Sequence, residues 1–258
     1  MAVAALVSLA GWALAGPAVA LAQPTADPDA EAPEAVPGEE VCTITDPRLT
    51  ELSGIVAVDD GYLVVNDSQE FLERKPIFLL DQSCNVVDQI PFPTNPLDPE
   101  DLALDRENDI LWVGDTGDNA AGGLAAGGST RPTVALWRVD LAGDRTPVIH
   151  RFVYPDGQPR DAEAIVLDAD GLPIIITKNV GAAELYRPTE FIPNNPPEQG
   201  VPLEKLGEFT PPETGSAHPF LPPAAASRVV TGGANAPDGS RVVLRTYTDA
   251  LEFDVTDG

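Results

Sequence analysis

Residues 98–119 read DPEDLALDRENDILWVGDTGDN, and the rest of the chain is interpreted outward from this stretch. Two short apolar runs, at 102–104 and 110–113, are joined by a polar turn, a pattern typical of a β-hairpin. Antiparallel pairing brings the start of the first strand next to the end of the second. The hairpin therefore predicts that Glu100 and Asp101 lie close to Asp115, Asp118 and Asn119 at one edge of a sheet.

The same unit recurs along the chain: two apolar runs around a turn, a polar cluster, a third run and a weaker fourth run. Short strands in repeated units, without helical periodicity, are typical of β-propeller blades. A β-sandwich has no reason to repeat a polar cluster after every second strand, so we expect an all-β propeller of four-stranded antiparallel blades. The predicted strands are 53–58, 62–65, 77–81 and 86–92 in the first copy; 100–105, 110–113, 134–140 and 148–153 in the second; 163–168, 173–177, 184–187 and 203–209 in the third; and 229–236, 242–246 and 251–255 in the fourth.

The fourth copy lacks its last strand, and a propeller closes its ring to hide its sheet edges. Two alternatives follow. Residues 42–45 supply the missing strand and about four blades close, or the chain is part of a longer product. The second alternative is preferred, which makes 41–258 a partial propeller domain.

The N-terminal segment predicts export. Residues 2–22 carry no charge and end Ala-Val-Ala-Leu-Ala before Gln23, which is typical of a signal peptide at 1–22. An uncleaved membrane anchor is the alternative, because about 20 apolar residues span a bilayer. Residues 23–40 are rich in Pro, Ala and acids and predict a disordered tether. Either way the propeller is expected to be secreted or associated with the cell envelope.

The net charge limits the classes of partner that the protein is expected to bind, and the cysteine content limits the possible disulfides and metal sites. The chain has 41 acidic and 15 basic residues, a net charge of -26, which disfavours nucleic acids and anionic membrane surfaces and leaves cations and small molecules. Cys42 and Cys84 are its only cysteines. An even number in an exported chain predicts one disulfide, with two free thiols as the alternative. With only two histidines as well, a Cys/His metal site is not expected.

In a propeller, the geometry of the blades brings these polar clusters together at one place. The loop before each first strand and the loop after each second strand lie on one face, around the mouth of the central channel. The alternative is that Asp and Asn in these turns only bond the local backbone. The predicted ligand-binding residues are Asn66, Asp67, Glu100, Glu163, Lys178 and Arg245.

The turn at 114–119 also predicts a metal site. Asp115, Asp118 and Asn119, together with Glu100, offer the oxygen ligands that calcium prefers. The alternative is a hydrogen-bonded acidic turn that pairs with Lys178 or Arg245.

Catalytic motifs are sparse. The sequence has no Gly-x-Ser-x-Gly elbow, no His-Glu-x-x-His and no phosphate-binding or dinucleotide-binding loop. His218 is a candidate base for Ser216 or Ser53. Glu100 and Glu163 are of the type used as an acid/base pair, although structural or metal-ligating roles are the simpler interpretation.

Several motifs together resemble a known family: Asn-Asp-Ser at 66–68, Pro-Glu-Asp-Leu-Ala-Leu at 99–104, Gly-Asp-Thr-Gly-Asp-Asn at 114–119 and Tyr-Pro-Asp-Gly at 154–157, followed by Asp-Ala-Glu-Ala at 161–164. In this order they are similar to a family of secreted bacterial β-propellers without an agreed substrate. A more distant similarity, to phytase-related esterase-like propellers, implies calcium held by acids around the channel. The chain departs from the family at Pro99, where Trp is frequent, and at Thr116, where Ile is frequent.

The sequence therefore predicts an exported propeller that binds an ion or small ligand at an acidic channel mouth. The alternative is a calcium-dependent phosphoesterase or esterase.

Overall fold

The computed structural model describes residues 36, 38–67, 74–118, 131–189, 192 and 199–255. The predicted signal peptide, most of the predicted tether, Asn119 and the glycine-rich segment at 120–130 lie outside the described residues. The stretch from Glu39 to Gly258 forms one compact unit. The described part of the chain holds no helix with the length and apolarity that a bilayer crossing requires.

Strands make up nearly all of the regular structure, with one short helix, α1, at Pro223–Ala226. In chain order the strands are β1 (Leu52–Val58), β2 (Gly61–Asn66), β3 (Ile77–Asp81), β4 (Val86–Ile90), β5 (Pro99–Asp105), β6 (Ile110–Asp115), β7 (Val134–Asp140), β8 (Val148–Val153), β9 (Ala162–Leu167), β10 (Pro173–Thr177), β11 (Ala183–Pro188), β12 (Val201–Phe209), β13 (Val230–Asn235), β14 (Arg241–Thr246) and β15 (Ala250–Asp254).

These strands form four antiparallel blades, in which each strand pairs with the next along the chain. Blade 1 contains β1–β4, blade 2 β5–β8, blade 3 β9–β12 and blade 4 β13–β15. The predicted all-β propeller is confirmed, and each predicted strand forms in the predicted order. One feature was not predicted: the outer strands β8 and β12 pair in parallel at Phe152 and Val201, which joins blades 2 and 3 into one sheet.

Hydrophobic side chains fill the spaces between neighbouring blades. Blades 1 and 2 enclose a cluster that includes Leu63, Ile77 and Trp137, and blades 2 and 3 enclose another around Phe152 and Tyr186. A third cluster joins blades 3 and 4. Strands with neighbours on both faces, such as β6 and β9, therefore bury every residue, whereas β15 alternates exposed and half-buried residues. Each large apolar side chain buried in this way contributes about 1.5–3 kcal/mol.

The N-terminal part of the domain covers the outer face of blade 1. Ile44 and Leu49 pack on Val64 and Phe78, and the guanidinium of Arg48 lies 5.0 Å from the centroid of the Phe78 ring. A disulfide joins Cys42 to Cys84, with 5.9 Å between the two Cα atoms. The predicted disulfide is therefore confirmed, and it holds this segment against its blade.

Residues 42–45 do not pair with the edge strand of blade 4. Residues 42–45 contain no strand, and within the described residues β15 pairs only with β14. The alternative in which residues 42–45 complete the fourth blade is therefore wrong. The disulfide explains this placement, because it holds Cys42 at blade 1.

A β-bulge recurs at the same place in every blade, at the start of the inner strand. The register between the first and second strands slips by one residue at Ser53, Glu100, Glu163 and Thr231. A bulge leaves one residue unpaired and redirects its side chain. Repetition at four equivalent positions turns one side chain from each blade toward the same end of the channel.

The residue after the second of these bulges, Asp101, ties the inner strands together. Its carboxylate accepts hydrogen bonds from the backbone N–H groups of Leu102 at 2.9 Å, Ile165 at 2.9 Å and Gly233 at 2.8 Å. These donors belong to β5, β9 and β13. Gly54 of β1 packs so closely on the backbone of Asp101 that a Cβ there would lie 2.8 Å from the Asp101 carbonyl carbon. Asp101 therefore connects three blades directly and contacts the fourth.

We expect Asp101→Ala to lower the free energy of unfolding by about 3 kcal/mol or more, because three buried N–H groups lose their acceptor at about 1–3 kcal/mol each. Urea denaturation followed by tryptophan fluorescence measures this change. Asp60→Ala, in an exposed turn, is the control and should change stability by less than about 0.5 kcal/mol. Equal stability of the two variants would show that Asp101 does not hold the blades together.

Candidate functional site

The four bulged residues line one cavity of about 490 Å³ at the mouth of the channel. Ser53, Glu100, Glu163 and Thr231 come from the inner strands of blades 1 to 4. Residues at and after the ends of the second strands complete the wall, as blade geometry predicts. They are Asp67 from blade 1, Lys178 from blade 3, and Thr246, Tyr247, Thr248, Asp249 and Ala250 from blade 4, beside Arg245 of β14.

Five of the six predicted ligand-binding residues thus meet in this cavity: Asp67, Glu100, Glu163, Lys178 and Arg245. The sixth, Asn66, is buried behind it. Its side-chain amide donates to the carbonyl oxygens of Arg48 at 2.9 Å and Arg74 at 2.8 Å, and its Oδ1 accepts from the Glu51 N–H at 3.3 Å. Asn66 therefore holds the chain segments beside Asp67 in place.

Three carboxylates converge at one side of the cavity, with Asp67 and Glu100 in its wall and Asp98 beside them. One oxygen each of Asp67, Asp98 and Glu100 lies within 4.8 Å of the other two. Glu100 is only 2% exposed, and its Oε2 accepts a hydrogen bond from the Ser53 hydroxyl at 2.9 Å. Gly117 makes this crowding possible, because a Cβ at that position would collide with Glu100 Oε1 and Asp98 Oδ2.

Burial and neighbouring charge suppress ionisation of Glu100. Burial is the largest cause, followed by the carboxylates of Asp67, Glu163 and Asp98, and together they raise the pKa of Glu100 to about 10. The hydrogen bond from Ser53 opposes that rise. At neutral pH Glu100 is therefore a neutral acid unless a cation offsets the repulsion.

The other side of the cavity carries basic groups. The Lys178 ammonium pairs with Glu163 Oε1 and lies 5.8 Å from the centroid of the Tyr247 ring. Burial raises the pKa of Glu163, and the bond from Lys178 reduces that effect. Arg245 is exposed, and its Nη2 donates to the carbonyl oxygen of Thr231 at 2.9 Å.

Two predicted metal ligands, Asp115 and Asp118, are engaged elsewhere. The Asp115 carboxylate accepts from the N–H groups of Leu97 and Asp98, from the Trp137 indole and from the Arg131 guanidinium, at 2.8–3.2 Å. Asp118 Oδ2 accepts from the Arg131 N–H at 2.7 Å. These acids therefore organise the loop behind Glu100, and Asn119, the third residue of this set, lies outside the described residues.

The histidine considered as a base is held by local backbone. His218 Nδ1 accepts from the N–H groups of Phe220 at 3.2 Å and Leu221 at 3.1 Å. Ser216 donates to Asp249 at 2.8 Å, and Ser53 donates to Glu100. The hydroxyl groups of Ser53 and Ser216 are therefore bonded to acids rather than to His218.

Sequence reasoning missed Asp98, Thr231 and Asp249 as lining or neighbouring groups. Asp98 stands two residues before Glu100 in the opening motif, so its proximity to the mouth was readable from the sequence. Thr231 is equivalent to Glu100 only through the bulge register, which no residue pattern revealed. Asp249 accepts hydroxyl hydrogen bonds from Thr214 and Thr248, both at 2.7 Å.

Comparisons with known proteins find similarity in structure only. No family model matches it, and no curated protein matches it in sequence. Hydrazine synthase of Kuenenia stuttgartiensis is similar in structure with a TM-score of 0.40 and 12% identity over 86% of this chain and 50% of that chain. The periplasmic gluconolactonase PpgL of Pseudomonas aeruginosa has a TM-score of 0.40 and 14% identity over 79% of this chain and 49% of that chain.

Virginiamycin B lyase of Staphylococcus aureus has a TM-score of 0.38 and 14% identity over 82% of this chain and 72% of that chain. The chain thus spans about half the length of the hydrazine synthase and PpgL chains. Similarity of this degree assigns neither a substrate nor a reaction to this protein.

We expect the buried Glu100 to make the cation-free fold less stable as pH rises. Its pKa in the fold is about 10 against an ordinary 4.5, so its favourable contribution is complete below pH 4.5 and is lost toward pH 10. Urea denaturation in chelator at pH 5, 7 and 9 should show the native protein losing up to about 1.4 kcal/mol per pH unit relative to Glu100→Gln. A constant difference between the two proteins would contradict this assignment.

Proposed function

We propose that this protein is an exported β-propeller that binds calcium, together with a small polar ligand, at the acidic mouth of its channel. The observation that carries the proposal is the convergence of the Asp67, Asp98 and Glu100 carboxylates, of which Asp67 and Glu100 line the cavity. Calcium takes 6–8 oxygen ligands, and three carboxylates supply a charged half of such a shell. Water or ligand oxygens would supply the rest.

The electrostatics of Glu100 support a cation. A buried acid with a raised pKa stabilises the fold less at neutral pH than an acid in its ordinary range. A divalent cation favours the ionised form and offsets the repulsion among the three acids. Binding of the ion would therefore release a proton from Glu100 and stabilise the mouth.

The size of the cavity supports a small-molecule ligand. Sites for small molecules are typically clefts of about 300–1,000 Å³, and this cavity has about 490 Å³. Its wall combines the acids with Lys178, Arg245 and Tyr247, so it offers groups of both charges and an aromatic ring. The net charge of -26 argues against nucleic acid as the ligand.

Export is supported by two observations. The disulfide between Cys42 and Cys84 is compatible with an oxidising, extracytoplasmic compartment. The uncharged N-terminal sequence with small residues before Gln23 is typical of a signal peptide.

Calcium should raise the thermal stability of the protein, by about 2.7 kcal/mol in unfolding free energy at a hundredfold excess over its dissociation constant. Glu100→Gln and Asp98→Asn should each abolish or strongly reduce the shift in melting temperature, because each removes a charged ligand. Asp59→Ala, in an exposed turn between β1 and β2, is the matched control and should respond like the native protein. A melting temperature that calcium does not move, or that moves equally in all four proteins, would refute the cation site.

A second candidate function is calcium-dependent hydrolysis of a phosphoester or ester. It is favoured by the presence of Glu163 and the Lys178 ammonium in the same cavity as Asp67 and Glu100. In such a reaction one water is consumed: Glu163 would take a proton from the attacking water and pass it to the departing alcohol. Lys178 would stabilise the negative oxygen that develops on the substrate.

Turnover of p-nitrophenyl phosphate and p-nitrophenyl acetate separates the two candidates. A hydrolase should release p-nitrophenol with calcium, lose that activity in chelator, and fall by at least about a hundredfold in Glu163→Gln. Asp59→Ala should keep full activity. If no substrate is turned over while calcium still stabilises the fold, the protein is a binding module.

A further inference from the structure

The bases of the cavity lie on the opposite side from the three clustered acids. Blades 1 and 2 contribute Asp67 and Glu100, with Asp98 beside them, whereas Lys178 and Arg245 come from blades 3 and 4. Blades 3 and 4 also contribute two acids: Glu163 pairs with Lys178, and Asp249 accepts hydrogen bonds from hydroxyl groups. A ligand that satisfies both sides must coordinate a cation at one end and present an anionic group at the other.

Arg245 is the group best placed to meet that anion. Lys178 is already paired with Glu163. The guanidinium of Arg245 has five N–H donors, and among the described residues the structure shows one of them bonded, to the Thr231 carbonyl. The planar fork of an arginine binds a carboxylate through two parallel hydrogen bonds. Arg245 is exposed while lining the cavity, so these donors are within reach of a ligand.

A row of aromatic rings, each meeting the next edge to face, begins in the cavity wall and leads away from it. The Tyr247 ring lines the cavity, His218 lies 5.7 Å from it, and Phe220 lies 6.2 Å from His218, measured between ring centroids. Phe220 is 91% exposed and Tyr247 40% exposed. The segment that carries His218 and Phe220 is anchored to the cavity, because Ser216 donates to the Asp249 carboxylate at 2.8 Å. An exposed aromatic row fixed beside a polar cavity offers apolar faces to a ligand ring.

We propose that the ligand is an acidic sugar, a sugar ring that carries a carboxylate, either free or within a short oligosaccharide. This inference rests on the proposed function and names its ligand class. The carboxylate pairs with Arg245, the hydroxyl oxygens complete the coordination of the cation, and the C–H face of the ring packs on the aromatic row. A neutral sugar cannot pair with Arg245 through a carboxylate, and an inorganic anion has no ring face to pack on the aromatic row.

Isothermal titration calorimetry of the folded, disulfide-bonded protein in saturating calcium tests the inference, with trigalacturonate as the acidic probe and a neutral galactose trisaccharide as its counterpart. We expect trigalacturonate to bind at least about tenfold more tightly, since a charge-assisted bond is typically worth that factor. Arg245→Gln should lose this preference. Phe220→Ala should weaken both sugars, because it removes the ring contact without changing the charge.

Arg241→Gln is the matched control. Arg241 lies on the same strand and the same face of blade 4 as Arg245, but it pairs with Glu252 away from the cavity. This variant should bind trigalacturonate like the native protein. Equal binding of acidic and neutral sugars, or an Arg245→Gln protein that binds normally, would overturn the inference.

Two further outcomes separate this inference from the calcium proposal. A protein that calcium stabilises but that binds neither sugar would overturn the ligand class and leave the cation site standing. A protein that binds trigalacturonate with the Arg245 dependence but shows no calcium response would support the ligand class and refute the cation.

Discussion

The hydrogen bonds to the Asp101 carboxylate are the interaction on which the rest of the structure depends. They join backbone N–H groups of three inner strands to one buried acid near the channel. Two of the donors, Ile165 and Gly233, stand two residues after the bulged Glu163 and Thr231, and Asp101 directly follows Glu100. The contact that holds the blades together therefore also fixes the side chains that line the mouth. Burial raises the pKa of Asp101 to about 7, an effect that its three donors oppose.

The channel mouth holds acidic groups whose burial and mutual repulsion are unfavourable for the fold. Glu100 is buried beside other acids, and Gly117 leaves just enough room for its carboxylate and that of Asp98. Asp115, in contrast, has four donors and stabilises the loop behind the cavity. Asp115 therefore has a structural role, whereas Glu100 lines the cavity. Strained or repelling groups persist in proteins where the surrounding structure holds them and are frequent at functional sites.

Much of the fold was readable from the sequence, because most strands carry an apolar run bounded by turn residues, and the hairpin of β5 and β6 predicted which ends meet. Asp67, Glu100, Glu163, Lys178 and Arg245 came together because antiparallel pairing places loop ends on one face. Asn66 and Asp115 have structural bonds instead, since the same residue types also satisfy buried backbone groups. The bulge register, the role of Asp101 and the parallel pairing of β8 with β12 depend on tertiary contacts and left no local pattern.

We propose that a cation binds to Asp67, which follows β2, to Asp98, which precedes β5, and to Glu100, the bulged residue of β5. Crystals soaked in terbium, a luminescent substitute for calcium with strong anomalous scattering, test it most directly. We expect an anomalous peak within about 2.3–2.6 Å of oxygens from these three residues. A peak beside Asp115 and Asp118, or no peak at the channel mouth at an occupancy-saturating concentration, would contradict it.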